Sequence, residues 1–211
     1  MAVDRDAVIA WFAELQRVYA ANRDRLTELD SAIGDADHGS NMDRGFSAVK
    51  TELDKNVSAS IGAILKTAAA TLIRTVGGAS GPLYGTFFLR AAAVCPDRTE
   101  LDAADLAAMF RAGIEGVVQR GKAGPQDKTM LDALLPALDS MASSLAAGAG
   151  IDLMFANAAA AAERGMQATI PMQARKGRAS YLGPRSVGHQ DPGATSSYLL
   201  IRAASEVWKT A

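Results

Sequence analysis

The segment with the strongest chemical signature is Asp30-Ser31-Ala32-Ile33-Gly34-Asp35-Ala36-Asp37-His38-Gly39-Ser40-Asn41, which carries three carboxylates within eight positions. Gly34 and Gly39 let the chain turn tightly, and Asp35 and Asp37 project the same way if the backbone between them is extended. Such a group repels itself unless a cation neutralises it. An all-oxygen donor set suits Mg2+ or Ca2+, and Mg2+ usually takes a few carboxylates together with substrate phosphates. The EF-hand pattern is not met, because its Gly and Glu positions are missing. The competing reading is a polar loop in which Asp35 or Asp37 caps the next helix; on this segment alone the metal site is the stronger of the two.

Three other segments combine unusual residue types. Gly77-Gly78-Ala79-Ser80-Gly81-Pro82-Leu83-Tyr84-Gly85 puts small residues at a helix start, where free backbone N–H groups can receive a phosphate. Taken by itself it is equally a helix-turn-helix corner. Gly116-Val117-Val118-Gln119-Arg120-Gly121-Lys122-Ala123 nearly matches a phosphate-binding loop. It is rejected as one: Ala123 lacks the hydroxyl that would hold Mg2+, and the segment follows a helix rather than a strand. Arg175-Lys176-Gly177-Arg178-Ala179-Ser180-Tyr181-Leu182-Gly183 offers guanidinium groups for bidentate phosphate recognition, and Asp191-Pro192-Gly193 is turn chemistry ahead of a helix. An acidic metal loop, a Gly-rich helix start and an Arg-rich Gly loop together describe a Mg2+–nucleotide site. The two histidines, His38 and His189, fall in these loops without a Ser or Cys nucleophile partner, and His38 is expected to donate a hydrogen bond that fixes the loop.

The elements that must position these loops read as helices. Alanine supplies about a fifth of the 211 residues and is the best helix former. Apolar positions Val8, Trp11, Phe12, Leu15, Val18 and Tyr19 fall at three- and four-residue steps, so Asp4 or Asp6 is expected to cap a helix running to about Leu29. Met42, Phe46, Val49 and Leu53 mark a second. Ser58 or Ser60 opens a third, ending at Gly77-Gly78. A fourth follows Gly81-Pro82 and stops at Cys95-Pro96, and a fifth starts at Asp102 or Asp105 and ends near Gly121. Asp127 is expected to cap a sixth that tolerates Pro136 and ends near Gly148. Ile151 to Ile170 makes a seventh and Ala194 to Lys209 an eighth, with no convincing strand. Three connections stand out, Asp30 to Gly39, Gly121 to Asp127 and Pro171 to Pro192, and loops of unusual chemistry on a rigid scaffold are where function usually sits.

Composition bounds the function. With 22 Lys+Arg against 23 Asp+Glu the net charge is −1, which argues against nucleic-acid binding driven by bulk positive charge. The single Cys95 excludes an intrachain disulfide framework and a multi-Cys metal site. The segment from Met1 to Asp6 is not followed by a signal-peptide apolar stretch, and no run approaches the roughly 18 apolar residues of a membrane span. A single domain over 1–211 in a cytoplasmic setting is the simplest expectation.

The motifs Gly34 to Met42, Gly77 to Thr86, Asp127-Lys128-Thr129-Met130-Leu131-Asp132, and Lys176 to Gly183 with Gly188 to Ala194 resemble, in order and across essentially the whole chain, the nucleotide-binding L subunit of dihydroxyacetone kinase. The resemblance implies an all-α fold, a closed up-and-down barrel of eight antiparallel amphipathic helices. It implies that Asp30, Asp35 and Asp37 hold two Mg2+ ions bridging the phosphates of ADP or ATP. His38, Gly39, Ser40 and Asn41 would lie against the nucleotide, Ala79 and Ser80 would contact phosphate, and Gly121 and Met130 would flank the base. Arg178 would approach the phosphates, and Asp191, Pro192 and Gly193 would close the site. No residue of this chain is then expected to act as acid or base. That role, with the dihydroxyacetone, falls to a separate K subunit, and a phosphohistidine of a phosphotransferase-system M subunit would recharge bound ADP. An ATP-exchanging kinase subunit for another small ketose and a non-catalytic nucleotide-binding signalling module are the alternatives. Ala36 stands where the family commonly has Gly, Ser40 replaces Thr, the order Gly124-Pro125-Gln126 is unusual, and Pro184 replaces an acidic residue. If position 36 needs positive φ, the alanine costs about 1 kcal/mol or more.

Overall fold

The computed structural model describes residues 2–55 and 60–209. Among these the chain forms nine α-helices, one 3-10 segment and a two-residue strand pair. The helices are α1 (Arg5–Ala21), α2 (Arg23–Ile33), α3 (His38–Lys55), α4 (Ile61–Thr75), α5 (Ser80–Val94), α6 (Ala103–Gly121), α7 (Leu131–Ala146), α8 (Ile151–Ala168) and α9 (Pro192–Val207). The 3-10 segment is Arg178–Ser186. Among the described residues no helix is long and apolar enough to cross a membrane.

The all-helical expectation holds, with local corrections. The first helix does not continue to Leu29 but breaks at Asn22, whose side-chain amide donates to the Val18 carbonyl at 2.8 Å. A short amide side chain that competes for backbone partners interrupts a helix in this way. The absence of strands is also corrected: β1 (Val3–Asp4) pairs antiparallel with β2 (Glu100–Leu101), joining the starts of α1 and α6. Asp4 rather than Asp6 caps α1, and Asp102 caps α6 in a reciprocal capping box with Asp105. Ser60 caps α4; Ser58 lies outside the described residues.

Asp127 does not cap α7. Its carboxylate accepts from Gly124 N–H at 2.8 Å. Asp132, inside the helix, accepts instead from Gln126 N–H at 2.5 Å and Thr129 N–H at 2.7 Å, folding the preceding loop back over the helix start. Pro136 removes the N–H that would have bonded the Asp132 carbonyl. That carbonyl faces Gly165 of α8, where an added Cβ would collide with it. The proline and the glycine together let α7 and α8 approach closely.

Packing follows the chain. α1 packs on α3, and each helix from α3 to α8 packs on its successor, ending with α8 on α9; α9 also packs on α1. α2 packs against α3, α9 and the 3-10 segment. The core is aromatic at its centre: Trp11 meets Phe12, Phe88 and Phe110, and Phe12 meets Phe88, as tilted rings with centroids 5.2–5.9 Å apart, and Trp208 lies 5.1 Å from Trp11. Each buried indole finds an acceptor, Trp11 on the Leu200 carbonyl and Trp208 on the Ala7 carbonyl. No buried side-chain polar atom among the described residues lacks a partner.

Candidate functional site

Asp30 occupies the last turn of α2, where its Oδ2 accepts the backbone N–H of Asp37 at 2.9 Å and of His38 at 3.1 Å. It thereby serves as the N-terminal anion of α3, a place where negative charge is stabilised. Gly34 lets the chain pass over this carboxylate, since an added Cβ there would collide with Asp30 Oδ1. Asp35 and Asp37 follow on the turn, and one oxygen from each of Asp30, Asp35 and Asp37 lies within 4.8 Å of the others. Three hard carboxylate donors so close fit Mg2+ without Cys or His in the set. Between them Ala36 has φ +62°, the left-handed conformation that alanine adopts only under constraint.

The acidic group borders a cavity of about 460 Å³. Asp30, Asp35, Asp37, His38, Ala79, Ser80, Gly121, Met130, Arg178, Asp191, Pro192 and Gly193 all line it, so the three unusual connections meet at one place. Gly39, Ser40 and Asn41 do not line it. Gly39 is where α3 crosses α2, with no room for a Cβ beside the Arg23 carbonyl and Thr27. The Ser40 hydroxyl donates to the Asp37 carbonyl at 2.9 Å. Asn41 Oδ1 accepts from Arg44 and from Gly77 N–H, joining the metal loop to the glycine corner. These three residues hold the wall from behind.

His38 ties the walls together. Its Nδ1 meets the Ser80 hydroxyl at 3.1 Å, at the start of α5, and its Nε2 meets the Ser196 hydroxyl of α9 at 2.9 Å. Ser196 is also 2.8 Å from the Tyr84 hydroxyl. Burial pushes the His38 pKa below its ordinary value, against the pull of Asp30, Asp37 and Asp35, so the ring is neutral near pH 7. The ring thus reaches Ser80 of α5 and Ser196 of α9 rather than bonding within the acidic loop whose fixing was expected of it, while its backbone N–H is the group held by Asp30; Ser196 carried no sequence signal.

On the opposite side Arg178, two-thirds exposed, lies 3.0 Å from Asp35. An exposed pair of this kind adds little stability, so its interest is positional: it brings a guanidinium to the rim of the acidic group. Leu83, Val117, Met130 and Leu131 give the cavity an apolar lining, with Gly121 at the C-terminal end of α6. The sequence reading gave no role to Lys128 and Arg120, which also line it. The rejected phosphate-loop look-alike lies in α6 and the turn after it.

Asp191 is buried at the start of α9, where it caps Ala194 N–H at 2.6 Å. Burial raises its pKa from 3.8 to about 7, with Asp132 and Asp30 adding to the rise and the Ala194 N–H and Lys128 opposing it. The native state therefore keeps this proton across a range where the unfolded chain has lost it. Stability from this group is fully present below about pH 4 and is lost progressively as pH rises to about 7, where both states have released the proton. In Mg2+-free buffer Asp191→Asn should flatten the decline in unfolding free energy between about pH 4 and pH 7; an unchanged slope in chemical denaturation would sink the assignment. Ala36→Gly should raise stability by about 0.5–1 kcal/mol, or a few degrees in Tm, by relieving the positive φ. Thermal unfolding of the two proteins checks it.

Comparison with known proteins gives these features a family. Residues 32–206 match the DAK2 domain. The chain is 47% identical over 202 residues to the PEP-dependent dihydroxyacetone kinase, ADP-binding subunit DhaL of Escherichia coli (strain K12), covering 96% of each chain. It is 37% identical over 202 residues to the PTS-dependent dihydroxyacetone kinase, ADP-binding subunit DhaL of Lactococcus lactis, covering 96% of this chain and 97% of the relative. The crystal structure of the dihydroxyacetone kinase from C. freundii in complex with AMP-PNP and Mg2+ superposes with a TM-score of 0.71 at 23% identity over 98% of this chain. This chain spans 34%, about a third, of that longer one, and the likeness is one of fold. With the family model covering most of its length and a relative matched almost end to end, this chain belongs to the DAK2-domain family.

Proposed function

We infer that this chain is the nucleotide-binding subunit of a multi-subunit dihydroxyacetone kinase, a phosphotransferase in which Mg-bound ADP or ATP is held at the cavity described above. The observation that carries this reading is the convergence of Asp30, Asp35 and Asp37 with the α5 start and Arg178 on one cavity. Its family membership supports the same reading.

In this reading Asp30, Asp35 and Asp37 hold two Mg2+ ions. Bound there, the cations neutralise the charge of the phosphates and of the transferring phosphoryl group. The chain's own residues bind and orient. Ala79 and Ser80 present the N-terminal end of α5 to a phosphate, and Arg178 adds a guanidinium at the rim. Gly121 and Met130 flank the base along the apolar lining, while Asp191, Pro192 and Gly193 shape the floor. His38, Gly39, Ser40 and Asn41 support this arrangement. His38 does so through Ser80, and the other three by holding the loop against α2 and the glycine corner. None of these groups is assigned as acid or base; that chemistry, with the dihydroxyacetone, falls to a separate K subunit. A phosphohistidine of a phosphotransferase-system M subunit recharges ADP in place. Residues 1–211 then act as one domain in the cytoplasm, with α1 and α3–α9 as a closed ring of eight antiparallel helices. The packing of α9 back onto α1 supports that closure.

The test is direct. The purified protein should release stoichiometric ADP on denaturation after long dialysis, and Asp37→Asn should weaken Mg2+-dependent ADP binding about tenfold or more with helicity unchanged. Calorimetric titration and circular dichroism read both effects. Rapid exchange of ATP into a nucleotide-free protein would point to the exchanging mode, and no Mg2+-dependent binding at all would falsify the reading.

A further inference from the structure

Lys128 is a buried cation that the binding chemistry does not use. Its side chain is 1% exposed. It sits in the turn between α6 and α7 with φ +61°, a conformation uncommon for lysine. Among the described residues the ammonium makes no direct ion pair, although Asp191 lies near enough to interact with its charge. Its Nζ lies within hydrogen-bond reach of five backbone carbonyls, among which its three N–H groups are shared: Thr169 at 2.9 Å, Met172 at 3.0 Å, Ser186 at 2.7 Å and His189 at 2.5 Å, with Ile170 at 3.5 Å. These oxygens come from both ends of the long connection between α8 and α9. A second link joins the same partners, since Arg175 N–H donates to the Asp127 carbonyl at 3.1 Å.

Between the two clamped ends lies Arg178, in a stretch whose glycines Gly177, Gly183 and Gly188 all have positive φ and open space around them. Besides the Lys128 ammonium, this stretch is held by Gly188 N–H on the Ile170 carbonyl at 2.8 Å, Ala174 N–H on the Ser186 hydroxyl at 2.9 Å, the Arg178–Asp35 pair and a small apolar contact with Ile33 of α2. Its own buried residues are few, Ala174, Ala179 and Ser186. On the near side the turn bearing Lys128 leads directly into Met130 and α7. One ammonium therefore joins the side of the cavity with Met130 to the side with Arg178.

We propose that Lys128 is a positioning residue whose ammonium acts as a built-in monovalent cation, gathering the carbonyls of 169–189 so that Arg178 is held over the phosphate end of the cavity. The inference rests on the reading of that cavity as a nucleotide site. A ring of carbonyl oxygens can replace the hydration shell of a monovalent ion, and here the ammonium is surrounded by such oxygens at hydrogen-bond distances. The charge, and not only the stem, carries the effect.

Lys128→Ala opens the cage to a free cation. In choline or Li+ buffer its Mg2+–ADP affinity should fall about tenfold or more, and NH4+ or K+ at equal ionic strength should restore most of it while leaving the unsubstituted protein unchanged. Unaltered affinity, or a loss indifferent to the cation, overturns the proposal. Lys128→Met keeps the stem and supplies the test if the alanine protein does not fold. It should retain its helicity while trypsin cuts at Arg175, Lys176, Arg178 and Arg185 about tenfold faster; an unchanged cleavage rate overturns the proposal as well. The proteolysis reads the cage without any nucleotide, so its failure is distinguishable from failure of the unsubstituted protein to bind Mg2+–ADP.

Discussion

Asp30 stands at the last turn of one helix with an oxygen held by the first N–H groups of the next. This bond fixes the angle between α2 and α3 and thereby sets where Asp35 and Asp37 fall. Three carboxylates within 4.8 Å would drive each other apart if they were on a free loop. Here the N-terminal dipole of α3 offsets part of that repulsion and the short turn leaves little room to relax. The strained Ala36 is the visible residue of that constraint. A cation finds the donors already assembled, which reduces the ordering entropy that binding would otherwise cost.

A second layer of organisation runs through hydroxyls and rings. Half-buried Ser80 and buried His38, Ser196 and Tyr84 form a continuous chain from the cavity lip to the aromatic core, and the Tyr19 hydroxyl donates to the Ser196 carbonyl at 2.8 Å. It touches α1, α3, α5 and α9 at once. Burying so many polar groups is tolerable only because each has a partner, and a satisfied network of this kind specifies one register among helices whose Ala-rich faces would otherwise slide.

The fold was legible where it depended on local patterns. Period and caps located nearly every helix, because Asp4, Asp102 and Ser60 do their capping within three residues. The break at Asn22 was missed because the apolar pattern continues across it through Leu26 and Leu29. The strand pair was missed because two residues carry no periodicity. Asp127 was misjudged because the deciding acceptor, Asp132, lies inside the helix it serves. At the site, residue type was sufficient for the acidic loop and the arginine loop. The roles of Lys128 and Ser196 rest on contacts 41 to 61 and 158 residues away, and nothing local announces them. Gly39, Ser40 and Asn41 show the opposite case, in which a motif marks a wall whose inner surface belongs to its neighbours.

The packing of α9 against α1 sets a timetable. Trp11 needs the Leu200 carbonyl, Tyr19 needs Ser196, and His38 needs the Ser196 hydroxyl, so residues near the start of the chain wait for Pro192–Val207. During synthesis the acidic turn can form early, but the cavity floor contributed by Asp191, Pro192 and Gly193 arrives late. Contacts of such long sequence separation are slow to form. A growing chain thus presents its charged turn to the cell before it has the cavity in which that turn is useful, and completion of the site coincides with closure of the core.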